Sequence, residues 1–283
     1  MSKITRIGLI SDTHMPNRWL QLPERVFTLF ADVDIIIHAG DVGELWVLDQ
    51  LGELAPVVAV HGNDETPEAE SALPYLQTLS ASGHRMVVTH AHYPDRAEEL
   101  ASRGEDWQPH FERRVKFAKD NDATICIFGH THIPANLIRN DIYLINAGAI
   151  ASGNSWTKPL IQTIAIMTLT PNQAPEIIHY DLATGVEHPP YFNEAGFTPT
   201  HRYYQGVMWD DDFMLHREFI WADILPLDPK GRATLREQCY TVWNGERETA
   251  STAELVHALL ALDNPLITHK LSEHDYFKQF VSI

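Results

Sequence analysis

The fold class that the sequence predicts is α/β layered, and three observations lead to it. Strand-like apolar runs alternate with helix-like segments over roughly the first 180 residues. Several of these runs, such as the one within 34–39, are short and continuous, which is typical of strands covered on both faces. After residue 133 successive β-like segments follow one another, and they predict a second sheet, built largely from hairpins, that packs on the first.

Each element follows from its own pattern. The strands of the first half are apolar runs, predicted at 4–10, 34–39, 56–62, 85–90 and 123–129. The helices between them have apolar residues at helical spacing, and they are predicted at 23–31, 44–54 and 109–122. Four more strands are expected after residue 133, and two of them flank a turn at Asn140 and Asp141.

A first domain at 1–184 is predicted to be followed by a C-terminal extension at 185–283 of mixed helical and irregular character. Its first twenty or so residues are rich in Pro, Gly and aromatic side chains and indicate irregular structure. A helix is predicted from Ser251, because Ser251 and Glu254 form a capping box. Because the extension has many aromatic residues to bury, we expect it to pack on the first domain as a small helical subdomain that partly rims the cleft. A cap beside the active site and a dimer interface are the alternatives.

Composition excludes several classes of function. No run approaches the roughly 18 apolar residues of a membrane span, and the N-terminal segment indicates a first strand instead of a signal peptide. Two cysteines far apart in sequence, Cys126 and Cys239, favour the reducing cytoplasm. A net charge of −17 makes nucleic acid an unlikely partner and favours a cation site.

Polar residues of ligand type follow each predicted strand of the first half. His130 and His132 show the pattern best, because side chains at i and i+2 of an extended chain share a face. The carboxyl ends of the strands in an open α/β sheet form a binding edge, so these side chains should meet there. The set comprises Asp12, His14, Asp41, Asn63, His90, His92, His130 and His132. Such mixed nitrogen and oxygen ligands suit two borderline metal ions that share a bridging carboxylate. The set contains no cysteine, which argues against a structural zinc site.

The motifs SDTH, GD, GND, H and GHTH, in this order and each after a strand, resemble the calcineurin-like metallophosphoesterase family. The similarity is greatest to its small bacterial and archaeal phosphodiesterase branch and covers about residues 1–184. It implies a two-sheet β-sandwich flanked by helices, in agreement with the pattern above. It also implies two divalent ions, Mn, Fe, Ni or Zn, and a metal-bridging hydroxide that attacks phosphorus.

The resemblance also implies which residues hold each ion. Asp12, His14 and His132 would bind the first ion. Asn63, His90 and His130 would bind the second. Asp41 would bridge the two ions, so the paired histidines of the last motif would serve different metals.

One departure from the family pattern concerns the proton donor to the leaving group. Many members have a histidine directly after the asparagine, whereas this chain has Asp64, and a carboxylate is a poor donor unless burial raises its pKa. Either the substrate has a good leaving group or another acid helps, and His92 is the candidate. Asn17 and Arg18 are candidates for binding the substrate phosphate, with an ordinary exposed loop as the alternative.

The predicted function is therefore that of a metal-dependent phosphoric ester hydrolase, in particular a phosphodiesterase, acting on a small phosphoester. A phosphomonoesterase or nucleotide pyrophosphohydrolase using the same site is one alternative. A non-catalytic interaction scaffold of the same fold, like the retromer small subunit, is another. The sequence leaves open whether the chain forms a homo-oligomer.

Overall fold

The computed structural model of the protein describes residues 4–101, 106–151 and 154–281. Its strands are β1 Thr5–Ile10, β2 Ile35–His38, β3 Val57–Ala59, β4 Leu76–Ala81, β5 His84–Thr89, β6 Ile125–Phe128, β7 Ala135–Arg139, β8 Ile142–Asn146, β9 Thr157–Pro159, β10 Thr163–Leu169, β11 Glu176–Asp181 and β12 Gln205–Val207. Its α-helices are α1 Glu24–Leu29, α2 Trp46–Gly52, α3 Pro67–Ala72, α4 Arg96–Ala101, α5 Gln108–Asp120, α6 Phe197–Tyr204, α7 Asp211–Phe219, α8 Gly231–Trp243, α9 Thr252–Leu260 and α10 Pro265–Glu273.

Two five-stranded mixed sheets form the framework, with strand orders β11-β10-β1-β2-β3 and β4-β5-β6-β8-β7. β1, β2 and β3 are parallel in the first sheet, and β5, β6 and β8 are parallel in the second. The predicted α/β architecture of two sheets flanked by helices is confirmed. The expectation that the later hairpins would build the second sheet is wrong, because β10 and β11 extend the first sheet whereas β7 and β8 join the second.

Apolar residues fill three layers. A central core contains Leu9 and Ile37 of the first sheet together with Val88 and Ile127 of the second, so it lies between the sheets. Helices α1 and α2 cover the outer face of the first sheet with a cluster that includes Phe30 and Leu51. Helix α5 covers the second sheet through residues such as Val115. Because both faces of each sheet are covered, the central strands are the continuous apolar runs seen in the sequence.

The chain divides into two compact units, one of Met1–Ala151 and Pro159–Gln205 and one of Ser152–Lys158 and Gly206–Ile283. The first unit contains both five-stranded sheets. The second is built mainly from α7 to α10, and its interior includes the stacked rings of Trp209 and Phe213, whose centroids lie 4.2 Å apart. The predicted helix after Ser251 is present, and the Ser251 hydroxyl accepts a hydrogen bond from the Glu254 amide at 3.3 Å. That the extension packs on the first domain stays a prediction.

Several elements differ from the sequence prediction. Helix α6 lies within the stretch interpreted as irregular, and its backbone is fixed by hydrogen bonds from the Leu160 and Ile161 amides to the Tyr204 carbonyl. Strand β4 and helices α3, α4 and α10 were not predicted. Within the described ranges, no helix has both the length and the apolar character that crossing a membrane requires.

Candidate metal centre

The polar residues predicted to converge stand in tight turns that follow β1, β2, β5 and β6. Five of them have left-handed backbones, with φ of 54° at Asp12, 48° at His14, 52° at Asp41, 70° at His130 and 57° at His132. Such a conformation costs a non-glycine residue about 1–2 kcal/mol, and Asp and His are among the residues that adopt it more often. The chain therefore turns sharply at these positions and directs the side chains over the strand ends.

Two glycines allow these turns to lie against one another. A β-carbon on Gly62 would lie 2.0 Å from Oδ1 of Asp41, and one on Gly129 would lie 2.1 Å from the Ser11 hydroxyl. Both distances are far below any real contact. The absence of a side chain at these positions is what lets the loops approach the two aspartates closely.

Four buried side chains form a compact group that could hold a metal ion. One ligand atom from each of Asp12, His14, Asp41 and His132 lies within 4.8 Å of the others. His132 Nε2 is 3.1 Å from Asp12 Oδ1, and His14 Nε2 is 3.5 Å from Asp41 Oδ2. Two carboxylates and two imidazoles are ligand types typical of a borderline divalent cation.

His90 extends this group through a contact with Asp41. Its Nε2 lies 3.1 Å from Asp41 Oδ2, is fully buried and makes no hydrogen bond. Its Nδ1 lies 2.8 Å from the carbonyl oxygen of Ala39, which can only accept, so Nδ1 carries the proton. Nε2 is therefore the nitrogen that has a lone pair when the ring is neutral, which is the state that a metal ligand needs.

The electrostatics of the group favour a cation. Burial raises the pKa of Asp12, but the His132 and His90 imidazoles outweigh it and lower that pKa to about 2. Burial lowers the pKa of His90, but Asp41 and Asp12 outweigh it and raise that pKa to about 9. The carboxylates thus remain ionised and attract positive charge to the site, whether as a proton or as a metal ion.

The remaining predicted ligands, His130 and Asn63, have different surroundings. The His130 amide donates to the Asp12 carboxylate at 3.2 Å, and its ring Nε2 lies 2.7 Å from Oε1 of Glu99. The His130 and His90 rings are neighbours, with centroids 5.1 Å apart. Asn63 is the one exposed member of the predicted ligand set.

Asp64 and Arg18 form an ion pair at the margin of the group. Asp64 Oδ2 also lies 3.3 Å from His14 Nδ1, and the Asp64 amide donates to Asp41 Oδ1 at 2.8 Å. The His14 contact lowers the pKa of Asp64 to about 2, and the Arg18 charge acts in the same direction although burial opposes both. Burial therefore does not turn Asp64 into a proton donor. The neighbouring Asn17 is half-buried.

His92 lies beside His90, with the ring centroids 5.6 Å apart. Its Nδ1 is buried and makes no hydrogen bond, while its backbone carbonyl accepts from Tyr75 and Arg113. Burial and, secondarily, the charge of His90 lower the pKa of His92 to about 4. The ring is therefore neutral at pH 7, and service as an acid requires a nearby anion, such as a bound phosphate, to raise its pKa.

Three residues that the sequence analysis did not single out support the group. Glu65 accepts backbone hydrogen bonds from Val42, Gly43 and Gly62 at 2.7–3.0 Å. Buried Gln205 places its side-chain amide 3.0 Å from His132 Nδ1. Glu99 contacts His130, as described above. Only Glu65 carries a signal in the sequence, since it ends the GNDE stretch directly after a motif.

Fold and site together define a class: an α/β sandwich with a candidate metal-binding group of carboxylates and histidines at its strand ends. The family model of the calcineurin-like phosphoesterase superfamily domain matches residues 5–172, and the chain belongs to this superfamily. Membership implies a phosphoester hydrolase that depends on divalent metal.

Named relatives agree with this assignment. The chain is 37% identical over 145 residues to a probable metallophosphoesterase of Methanocaldococcus jannaschii. This match covers 50% of this chain and 67% of that protein. It is 34% identical over 163 residues to a probable metallophosphoesterase of Methanothermobacter thermautotrophicus, and this match covers 58% of this chain and 84% of that protein. The crystal structure of Chaetomium thermophilum Vps29 has the same fold, with a TM-score of 0.51 at 15% identity over 65% of this chain and 94% of that one.

Proposed function

We propose that the protein is a dinuclear-metal-dependent phosphodiesterase for small substrates. The observation that carries the proposal is the position of Asp41, whose Oδ2 lies 3.5 Å from His14 Nε2 and 3.1 Å from His90 Nε2. A carboxylate that contacts one imidazole from each of the two predicted ligand sets can serve as a bridging ligand.

The ligand assignment implied by the family resemblance fits this geometry. Asp12, His14 and His132 would bind the first ion. Asp41 would bridge, and His90 would bind the second ion through its unpartnered Nε2. His130 and Asn63 complete the second set, and the exposed Asn63 has to turn inward to do so. When bound, two such ions supply Lewis-acid activation of water and of the phosphoryl oxygens.

The chain's own side chains would orient the substrate. Arg18 is only partly exposed and is held by Asp64, so its planar guanidinium is fixed beside His14 for contact with a phosphate oxygen. Asn17 lies next to it in the same turn. Because Asp64 is engaged with both Arg18 and His14, His92 is the remaining side chain proposed to protonate the leaving group.

The substrate class follows from charge and placement. A chain of net charge −17 repels a polyanion, so a small diester is favoured over nucleic acid. The buried free thiols of Cys126 and Cys239 support the cytoplasm as the compartment. Manganese is the ion proposed for the first assays, with iron, nickel and zinc to be compared.

The test combines metal analysis with a substrate panel. Protein loaded with Mn²⁺ is assayed on an aryl phosphodiester, an aryl phosphomonoester and a dinucleotide polyphosphate, and bound metal is measured by mass spectrometry. We expect two ions per chain and fastest turnover of the diester. Faster turnover of the monoester or of the polyphosphate would replace the substrate assignment, and a metal-free, inactive protein would support an interaction scaffold.

A further inference from the structure

Glu99 is a buried carboxylate outside all the recognised motifs. It lies in helix α4 and is 5% exposed. Its Oε1 is 2.7 Å from His130 Nε2, and its Oε2 accepts a hydrogen bond from the Tyr93 amide at 3.1 Å. Each carboxylate oxygen thus has a specific partner, and the carboxylate is held in one orientation against the His130 ring.

This contact determines which ring nitrogen of His130 is available. An ionised carboxylate can only accept, so Nε2 must carry the hydrogen. In the neutral ring Nδ1 then keeps its lone pair. The backbone of the same residue is fixed by its donation to Asp12, so the ring cannot turn over without breaking the Glu99 contact.

We propose that Glu99 is a positioning residue for the second metal ion: it holds His130 in the tautomer and orientation in which Nδ1 is the ligand. The proposal deepens the proposed function, because it rests on His130 serving that ion. A carboxylate that accepts from the far nitrogen of a metal-bound histidine also raises the basicity of the ring, and removing such a partner lowers metal affinity about 10–100-fold.

The contrast with His90 supports this reading. In His90 the hydrogen-bonded nitrogen is Nδ1, held by the Ala39 carbonyl, and the free one is Nε2. In His130 the bonded nitrogen is Nε2. In the proposed site the two histidines would therefore use opposite ring nitrogens, and each needs its own acceptor to hold that state.

The experiment compares the wild type, Glu99→Leu and Glu99→Gln with a matched control, Glu98→Leu. Glu98 lies next in the same helix, carries the same charge and is exposed. Calorimetric titration with Mn²⁺ measures the two binding constants without any substrate. Ring ¹⁵N spectra of the metal-free proteins report which nitrogen of His130 is protonated, a readout that a merely structural role would not move.

We expect Glu99→Leu to weaken the second Mn²⁺ site about 10–100-fold, to leave the first unchanged and to mix the His130 tautomers. Glu99→Gln, whose amide oxygen can still accept, should recover part of the affinity. The Glu98→Leu variant should match the wild type.

Three results would overturn the proposal while leaving the metal centre in place. One is the finding that the wild type binds two ions and that the Mn²⁺ binding constant of the second site is the same in Glu99→Leu as in the wild type. Another is an unaltered His130 tautomer in that variant. The third is a structure of the manganese complex in which a Glu99 oxygen coordinates the ion directly. A wild type that binds fewer than two ions would instead contradict the proposed function itself.

Discussion

The Nδ1 atom of His90 lies 2.8 Å from the carbonyl oxygen of Ala39, and this one hydrogen bond leaves the opposite ring nitrogen facing the Asp41 carboxylate. Ala39 lies just after strand β2, whereas His90 follows β5 in the other sheet. The two sheets are therefore joined at the candidate site by a side-chain contact to the backbone, and this contact also selects the tautomer that the proposed role of His90 as a metal ligand requires.

The position of Asp41 leads to a first prediction. Asp41→Asn keeps the shape of the side chain but removes the charge that both ions would share. We expect the chain to bind at most one Mn²⁺ and to lose more than about 100-fold in turnover of an aryl diester, beyond the range of residues that only orient a ligand. Asp49→Asn, at an exposed position of helix α2, is the control. Two bound ions and normal turnover in Asp41→Asn would contradict the bridging role.

His92 leads to a prediction about leaving groups. If its ring protonates the departing oxygen, His92→Ala should reduce turnover of an alkyl ester far more than that of an aryl ester, because a phenolate leaves without a proton. The measurement is kcat on a matched pair of alkyl and aryl diesters. Equal losses on both substrates would remove His92 from the proton transfer.

Gln205 connects His132, a proposed ligand of the first ion, to the segment beyond the family match. Its amide contacts His132 Nδ1 at 3.0 Å, and its side chain is buried. A metal-bound Nε2 leaves the hydrogen on Nδ1, so the Gln205 side-chain amide then has to present its oxygen to Nδ1. We expect Gln205→Leu to weaken the first Mn²⁺ site about 10–100-fold by releasing the ring. Gln173→Leu, at an exposed turn, is the control. Titration by calorimetry provides both constants, and an unchanged first constant would show that His132 holds its orientation without help.

His179 leads to a prediction about pH and stability. Burial lowers its pKa to about 4, although its hydrogen bond to the Asn146 carbonyl opposes this. The unfolded chain binds the proton near pH 6.5, so the neutral folded ring contributes stability above that pH and loses it as the pH falls toward 4. The free energy of unfolding is expected to decrease by about 2 kcal/mol between pH 7 and pH 5 because of this group.

The check on His179 is the free energy of unfolding by urea at both pH values. His179→Gln retains a donor for the Asn146 carbonyl but has no titrating group. Between pH 7 and pH 5 the free energy of unfolding of this variant should therefore decrease less than that of the wild type, and the difference should be about 2 kcal/mol. Parallel curves for the two proteins would contradict the assignment.

Much of the fold was predictable because its central strands are buried on both faces and so appear as continuous apolar runs. The placement of Asp12 and Asp41 followed from the rule that strand ends form one edge. Strand β4 was missed because Leu76–Ala81 includes Gln, Thr and Ser and is only partly buried, as suits an edge strand. The assignment of hairpins to sheets could not be predicted, since it depends on pairings between distant strands.

The supporting residues of the site were harder to predict than its candidate ligands. Glu99 lies on a helix with no motif, and its meaning appears only when the helix is placed against His130. Gln205 is about seventy residues from His132, and nothing local in the sequence relates the two. A motif identifies the atoms that bind, whereas the groups that orient them are set by tertiary packing.

Glu65 has a wider consequence. Its two oxygens tie the turn after β2 to the turn after β3, through the amides of Val42, Gly43 and Gly62. Neither turn can shift outward without breaking these bonds, so the Glu65 carboxyl group, through its hydrogen bonds to backbone amides, fixes the width of the gap between Asp41 and Asn63. A gap of fixed width discriminates among cations by ionic radius. Loosening this tie would therefore broaden the range of ions accepted.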